Sequence, residues 1–304
     1  MRRMRTAPTH LGTSQNIYDS ADFFGEYSKY PRAQNGLEGA SEWPLLKALL
    51  PKDLTGVAVL DLGCGDGWFS RWALDQGAAS VLGLDASKNM LDRARELTTD
   101  ESRGCIEFRQ VDMQNLSLEE SAFDLIFSGL ALHYPANLDE ILQELHRSLR
   151  PGGAFVFSVE HPVFTAPRNP GFNRDQLTGR TYWPLNDYFD EGSRSVSWLG
   201  ARVRKQHHMV ETWIGGVLSA GFGLVGLHEW GATDEEARKH PNWPEGVSPR
   251  FMIISTRKTF KSTTLSRVAT MKRSNLRRAV SWARRGVLLS RRLRMKSAWR
   301  SIES

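Results

Sequence analysis

The sequence predicts an open α/β fold, a mainly parallel sheet with helices on both faces. Three observations predict it. From residue 57 onward, short β-branched apolar runs alternate with segments of helical periodicity. A glycine turn, Gly63-Cys64-Gly65-Asp66-Gly67, stands where the first of those runs gives way to a helix. Carboxylates close successive runs, at Asp61, Asp85 and Asp112.

The elements follow in order. Residues 1–16 are polar without a periodic pattern and are expected to be disordered. Residues 17–50 carry apolar and aromatic side chains at helical spacing, with breaks at Pro31 and Gly36, and predict a cap of two or three short helices. Strands are expected over 57–61, 80–84, 106–110, 123–128 and 154–159, and helices over 68–76, 88–97 and 138–149. The last of these helices has Leu138, Ile141, Leu142, Leu145 and Leu149 on one face and should stop at Pro151-Gly152-Gly153. Residues 161–210 break the alternation with four prolines and a high density of rings, among them Phe164, Phe172, Tyr182, Trp183, Tyr188, Phe189 and Trp198. So long an irregular stretch inside a domain is usually functional, and it is expected to form an aromatic insertion or lid. A helix over 210–220 and strands over 224–229 and 250–256 complete a domain of residues 17–258, with a basic extension over 259–304.

Composition narrows the function. The chain has 304 residues, 40% hydrophobic and 24% charged, as in ordinary globular proteins. Ten Trp and 14 Phe exceed the needs of a plain core and suit an aromatic-lined pocket. No run approaches the roughly 18 apolar residues of a membrane span, and no apolar stretch of signal type follows the basic residues 1–10. Cys64 and Cys105 form no CxxC pattern and supply no metal cluster, so no metal is expected and a reducing, cytoplasmic setting is. The net charge of +6 divides unevenly. Thirteen of the 40 Lys and Arg, and one of the 34 acidic residues, fall within 261–304, which gives that segment +12 and leaves the first 260 residues at −6. Any claim on nucleic acid or an anionic membrane therefore rests on the tail. Its arginine pairs at 277/278, 284/285 and 291/292 return to nearly one helix face, which suits contact with an anionic surface. A solvated extension is the alternative.

The glycine turn lets backbone approach a ligand with no Cβ in the way. Alone it is shared with nicotinamide and flavin enzymes, so a nicotinamide dehydrogenase is the rival at the level of the fold. Asp61, just before the turn, suits a cationic amino-acid ligand and repels a pyrophosphate. Asp85 occupies the position from which a carboxylate takes ribose hydroxyls. Asp112-Met113, after the third strand, suits an adenine.

With Phe123-Asp124-Leu125-Ile126-Phe127-Ser128 and Leu149-Arg150-Pro151-Gly152-Gly153, these motifs resemble class I S-adenosylmethionine methyltransferases, over residues 17–258. The resemblance is to the UbiE/BioC-like small-molecule group, including a branch with the segments Val159-Glu160-His161-Pro162 and Lys205-Gln206-His207. It implies a Rossmann-like, seven-stranded, mostly parallel sheet of order 3-2-1-4-5-7-6 with strand 7 antiparallel. S-adenosyl-L-methionine would be the cofactor. Gly63, Gly65 and Gly67 would shape the loop under its methionine part, with Asp61 facing the amino group. Asp85 would bind ribose, Asp112 and Met113 would hold adenine, and Ser128 would lie near the sulfonium.

Methyl transfer from a sulfonium needs an aligned acceptor, and a base only where the acceptor is protonated. Histidine suits that role near neutral pH. His133 follows the fourth strand, His161 the fifth, and His207, with His208 beside it, lies in the insertion. Each also has a plain reading: packing for His133, a turn cap before Pro162 for His161, an exposed position for His207. Arg32, in the cap with Tyr18, Tyr27 and Tyr30, suits the methionine carboxylate or a surface role. The expected activity is methylation of an O, N or C nucleophile of a small molecule. An RNA or protein methyltransferase steered by the tail, and a noncatalytic cofactor-binding regulator, are the alternatives.

Overall fold

The computed structural model describes residues 15–102, 104–232 and 248–259; the expectations for residues 1–14 and for the tail from 260 fall outside them. The chain opens with a 3₁₀ turn at Ile17–Asp19, then α1 (Ala21–Tyr27), α2 (Pro31–Asn35) and α3 (Trp43–Leu49). Pro31 begins α2, where its missing N–H costs nothing, and Gly36 at φ +60° ends it. The alternating part follows as β1 (Ala58–Leu62), α4 (Trp68–Asp75), β2 (Ser80–Asp85), α5 (Lys88–Glu96), β3 (Ile106–Gln110), β4 (Phe123–Gly129), α6 (Leu138–Ser148) and β5 (Leu149–Glu160). The segment expected to be irregular contains α7 (Pro162–Thr165), a hairpin of β6 (Asn173–Arg174) and β7 (Thr181–Tyr182), and a hairpin of β8 (Gly192–Trp198) and β9 (Ala201–His207). Then come α8 (Val210–Ala220), β10 (Phe222–Trp230) and β11 (Phe251–Lys258).

The main sheet has seven strands in the order β3-β2-β1-β4-β5-β11-β10. The first five pair in parallel, and β11 is antiparallel to both β5 and β10. With the four hairpin strands left out of the count, this is 3-2-1-4-5-7-6, the Rossmann-like methyltransferase order. One apolar core lies between the sheet and α6 and α8, built on Leu60, Leu62, Ile126, Leu142, Phe155 and Trp213. The other lies between the sheet and α3 and α4, built on Trp43, Leu46, Val59, Phe69, Leu125 and Ile253. β1, β4, β5 and β11 each feed both cores because alternate side chains point to opposite faces.

Three boundaries differ from expectation. Residues 15 and 16, assigned to a disordered start, are tied down: Gln15 bonds the backbone of Arg202 and Arg204, and the Asn16 amide donates to Ala86 O at 3.1 Å. β5 begins at Leu149, not Ala154, because Arg150 to Gly153 form an irregularity in the ladder with β4 rather than a free turn. The β8–β9 hairpin is hidden in the sequence because its two-residue turn places Leu199 at φ +48° before Gly200 at φ +76°. Leucine is not among the residues that favour such turns.

Candidate active site

The carboxyl ends of β1, β2, β4 and β5 converge under the cap, where open α/β sheets bind ligands. The glycine turn is sewn to the end of β2: Gly63 N and Cys64 N both donate to Leu84 O, at 2.7 and 2.9 Å. Gly63, Gly65 and Gly67 have φ of +73°, +54° and +78°. A Cβ on Gly63 would lie 2.3 Å from the Ala131 Cβ, and one on Gly67 2.8 Å from the Phe108 ring. At Gly65 the nearest atom would be Met90 Cε at 3.4 Å. Gly63 and Gly67 are thus required by packing inside the protein, while Gly65 leaves room for a ligand against bare backbone.

The cleft over this turn is lined by Tyr27, Arg32, Asp61, Gly65, Asp66 and Trp68. Asp61 is 2% exposed and accepts from the Ser70 hydroxyl at 2.6 Å. Burial, with Asp85 nearby, pushes its carboxyl up to about 7. A buried carboxylate that is costly to charge by itself fits the ammonium of an amino acid. Arg32 is ion-paired to Glu42, which is 0% exposed, so this arginine belongs to the cleft wall and not to the open surface. Asp85 accepts from Gly65 N and Ser87 N, each at 2.8 Å. It thereby fixes the glycine turn relative to α5 and stands where a ribose-binding carboxylate was expected. Asp112 accepts from Gln114 N at 3.0 Å, capping a 3₁₀ turn that begins with Met113. The Met113 methyl packs on the glycine turn beside Gly63.

Ser128 is a correction. Its hydroxyl donates to Leu62 O at 2.8 Å and is 0% exposed, so it binds β4 to β1 inside the sheet. The adjacent Gly129 lines the cleft instead.

Two of the three histidines are also corrected. His161 is 1% exposed, with Nδ1 accepting from Val163 N at 3.1 Å and Nε2 bonded to Glu229 at 2.8 Å. It caps α7. His207 is 0% exposed, with Nδ1 bonded to the Thr165 hydroxyl at 2.8 Å and Nε2 to Tyr188 O at 3.0 Å. Both of its ring nitrogens anchor the insertion, and the surface reading fails as well. A histidine with both nitrogens committed has none to offer an acceptor.

His133 differs. It follows Leu130, which turns out of β4 at φ +54°, an uncommon conformation for leucine that aims the following residues over the strand ends. Its ring lies 4.5 Å from that of Tyr134, and its Nδ1 makes only a long contact, 3.5 Å, with Glu160 N. Burial drives its pKa down to about 4, so it is neutral at pH 7.

Two residues escaped the sequence reading. Lys205 and Glu160 form an ion pair of 2.5 Å, with side chains 9% and 15% exposed. Burial pushes the Glu160 carboxyl up, but Lys205, with His133 and Arg250, brings it below the usual range. Lys205 Nζ also lies 5.3 Å from the centre of the Trp198 ring. Trp198 in turn meets Phe23, Tyr27 and Tyr30 of the cap edge to face, at 5.3, 6.3 and 6.2 Å. The Tyr18 and Tyr134 hydroxyls are 3.5 Å apart. Glu160 and Lys205 themselves belong to the two segments quoted above, each beside the histidine of its segment or one residue from it. Glu160 stands in apolar, aromatic sequence, a signal of a buried charge, whereas Lys205 stands among Arg202, Arg204 and Gln206, where nothing local marks it.

Comparison with known proteins agrees with this geometry. The sequence model of a family described as a methyltransferase domain matches residues 60–157. The crystal structure of an S-adenosylmethionine-dependent methyltransferase from Mesorhizobium loti is 42% identical, with a TM-score of 0.68, over 73% of this chain and 100% of that one. An uncharacterized protein of Haemophilus influenzae is 30% identical over 255 residues, 81% of this chain and 98% of its own. A malonyl-[acyl-carrier protein] O-methyltransferase of Enterobacter lignolyticus is 34% identical over 136 residues, and the chain spans about half of that relative's length. A full-length match to a solved methyltransferase, the strand order and the glycine turn agree: the chain belongs to the S-adenosylmethionine-dependent methyltransferases.

Proposed function

We propose that the enzyme methylates a small molecule, and that the acceptor enters between the cap and the insertion, above the ends of β4 and β5. One observation carries this reading. The cap and the β8–β9 hairpin meet through Trp198 and through Gln15, so the ends of β4 and β5 are covered and not left as an open groove for a polymer.

In this reading the chain's own residues bind and orient the reactants. S-adenosyl-L-methionine, when bound, supplies a methyl group already activated on a sulfonium. Asp61 neutralises its ammonium, Arg32 meets its carboxylate, Asp85 takes the ribose hydroxyls, and Asp112 and Met113 hold the adenine. Gly63, Gly65 and Gly67 let it lie against the backbone. The cap rings exclude water, and positioning does most of the work. Of the three histidines, His133 is the one whose ring nitrogens are not both held, since its Nδ1 makes only the long contact with Glu160 N. It is the group to take a proton from a protonated acceptor. The two free cysteines, with no disulfide between them, fit a cytoplasmic setting.

The test is incubation of the full-length protein with methyl-labelled S-adenosylmethionine and a fractionated extract. Label in a low-molecular-mass product is the expected result. Label recovered only in RNA or protein would overturn the reading and return weight to the basic residues 261–304 as a steering element.

A further inference from the structure

Glu42 is 0% exposed and gives one oxygen, Oε1, to Arg32. Its other oxygen, Oε2, is buried and has no hydrogen-bond partner among the described residues. Nor does the side chain cap α3, which it precedes. A buried carboxylate oxygen without a partner is costly. A buried ion pair contributes little net stability, because desolvating two charges offsets their attraction, and an apolar pair of similar volume often does as well. The cap does not need the pair to hold its shape. A Cβ on Gly36 would lie 2.4 Å from the Trp68 ring, and one on Gly39 2.2 Å from Pro31 O. The 3₁₀ turn Gly36–Gly39 is thus already in close contact with α2 and with α4. Glu42 therefore serves Arg32 and not the fold.

We propose that Glu42 is a positioning residue that holds the Arg32 guanidinium ready for the methionine carboxylate of the cofactor, and so makes the site select a carboxylate-bearing cofactor over its decarboxylated counterpart. This deepens the reading of Arg32 given above and rests on it.

Three features point to that role. First, Arg32 is the only cation among the described residues that line the cleft, and Asp61 and Asp66 line it too. A ligand carboxylate placed anywhere but at Arg32 would meet one of these acids in a poorly solvated place. Second, the pair presents its cationic half. The Arg32 side chain is 29% exposed and lines the cleft, while that of Glu42 is 0% exposed behind it. A guanidinium has five donors in a planar fork. The bond to Glu42 fixes the plane of that fork and leaves other donors for a ligand. Burial by itself would ease the proton off Arg32, and Glu42 more than reverses this, so the cation is held. Third, the pair keeps the charges of the site apart. Arg32 shares the cleft with Asp61 and Asp66. Freed from Glu42 it would turn to one of them and cancel the charge that meets the cofactor ammonium. A zwitterionic head group needs a cation and an anion that do not quench each other.

The experiment is calorimetry on the full-length protein at pH 7.5. The probes are S-adenosylhomocysteine, its decarboxylated form S-adenosyl-3-thiopropylamine, and 5′-methylthioadenosine, which has neither carboxylate nor ammonium. The parent should bind S-adenosylhomocysteine about 10–100-fold more tightly than the decarboxylated form, the yield of one charged hydrogen-bonded pair. Glu42→Gln keeps the size and an oxygen acceptor but removes the charge. It should reduce that preference to about threefold or less and leave the affinity for 5′-methylthioadenosine unchanged. Glu42→Asp, with the charge on a shorter arm, should keep part of the preference. A merely structural role would weaken all the probes alike, or move the thermal midpoint and leave the preference alone. The preference compares two ligands on one protein, so a loss of stability common to both cancels. If Glu42→Gln does not fold, Glu42→Asp carries the comparison, with a preference between that of the parent and none. The proposal is overturned if the folded variant keeps the full preference of the parent, or if its affinity for 5′-methylthioadenosine falls as far as that for S-adenosylhomocysteine. Arg32→Ala should lose the preference as well. A preference that survives in Arg32→Ala would instead place the carboxylate elsewhere and strike the assignment of Arg32 on which the proposal rests.

Discussion

Asp61→Asn should remove a pH step from cofactor binding. Asp61 is 2% exposed, has the Ser70 hydroxyl as a hydrogen-bond partner, and is pushed by burial up to about 7. A cofactor ammonium pairs with the carboxylate, so binding to the protonated form must first release a proton. Below pH 7 the affinity should fall about tenfold for each pH unit, or about 1.4 kcal/mol. Above pH 7 the carboxylate is already charged and this dependence flattens. The cofactor's own α-amino group loses its proton near about 7.7–8.0, so the alkaline limb belongs to the ligand and persists in any variant. The Asn variant should lose the acid limb and bind about 10–100-fold more weakly at pH 7.5, the loss of one charged hydrogen bond. Stability shifts the other way. A carboxyl raised in the folded state favours folding when protonated, and that advantage is lost as pH rises from about 4 towards 7. The ligand-free Asn variant should therefore melt higher than the parent at pH 8 and not at pH 4. Calorimetry with S-adenosylhomocysteine from pH 5.5 to 8.5 and thermal melts from pH 4 to 8 check both. Asp66, pushed up to about 6 by burial in the same cleft, is the competing source of an acid limb. An acid limb that survives unchanged in Asp61→Asn would refute the reasoning.

Other variants separate ligand contact from packing. Gly65→Val should abolish cofactor binding while the chain still unfolds cooperatively: φ of +54° strains a β-branched residue, but the nearest atom to a Cβ there is 3.4 Å away, and the space beyond is where the cofactor is proposed to lie. Gly63→Ala should instead lower the thermal midpoint, by about 2 kcal/mol or more of stability, since its Cβ would fall 2.3 Å from that of Ala131. His207→Ala should cost about 2–4 kcal/mol in denaturant unfolding, through two lost hydrogen bonds and a cavity, with cofactor affinity unchanged. His133→Ala should lower kcat about 10²–10⁴-fold on the acceptor identified by labelling and leave S-adenosylhomocysteine affinity alone; equal losses in both would make it a packing residue.

The sheet and the cofactor loop could be read from the sequence because their signals are local. β2, β3 and α8 lie within a residue of where alternation and periodicity put them, and α6 shows its buried face as Leu138, Ile141, Leu142 and Leu145. Asp61, Gly63, Gly65 and Gly67 sit within one strand-turn-helix, so spacing along the chain is spacing in space. The boundary of β5 was misplaced because an irregular ladder at Arg150 to Gly153 resembles a turn. The β8–β9 hairpin was missed because Leu199 takes a conformation its side chain does not advertise.

The acceptor side was decided by tertiary structure. No periodicity reports that the His161 ring turns to Glu229 while Glu160, one residue earlier on β5, points to the opposite face and meets Lys205. Nor does it report that His207 lies between Thr165 and the backbone of Tyr188. Glu160 and Lys205 are 45 residues apart, and only the fold of the insertion back over the strand ends brings a donor, an acceptor and the cap rings together. The sequence alone determined the chemistry available to this protein, a glycine turn flanked by carboxylates for one cofactor. The arrangement of its second site was left to packing, because a charge or a ring is recorded in the sequence as a residue type and acquires a direction only when its neighbours are in place.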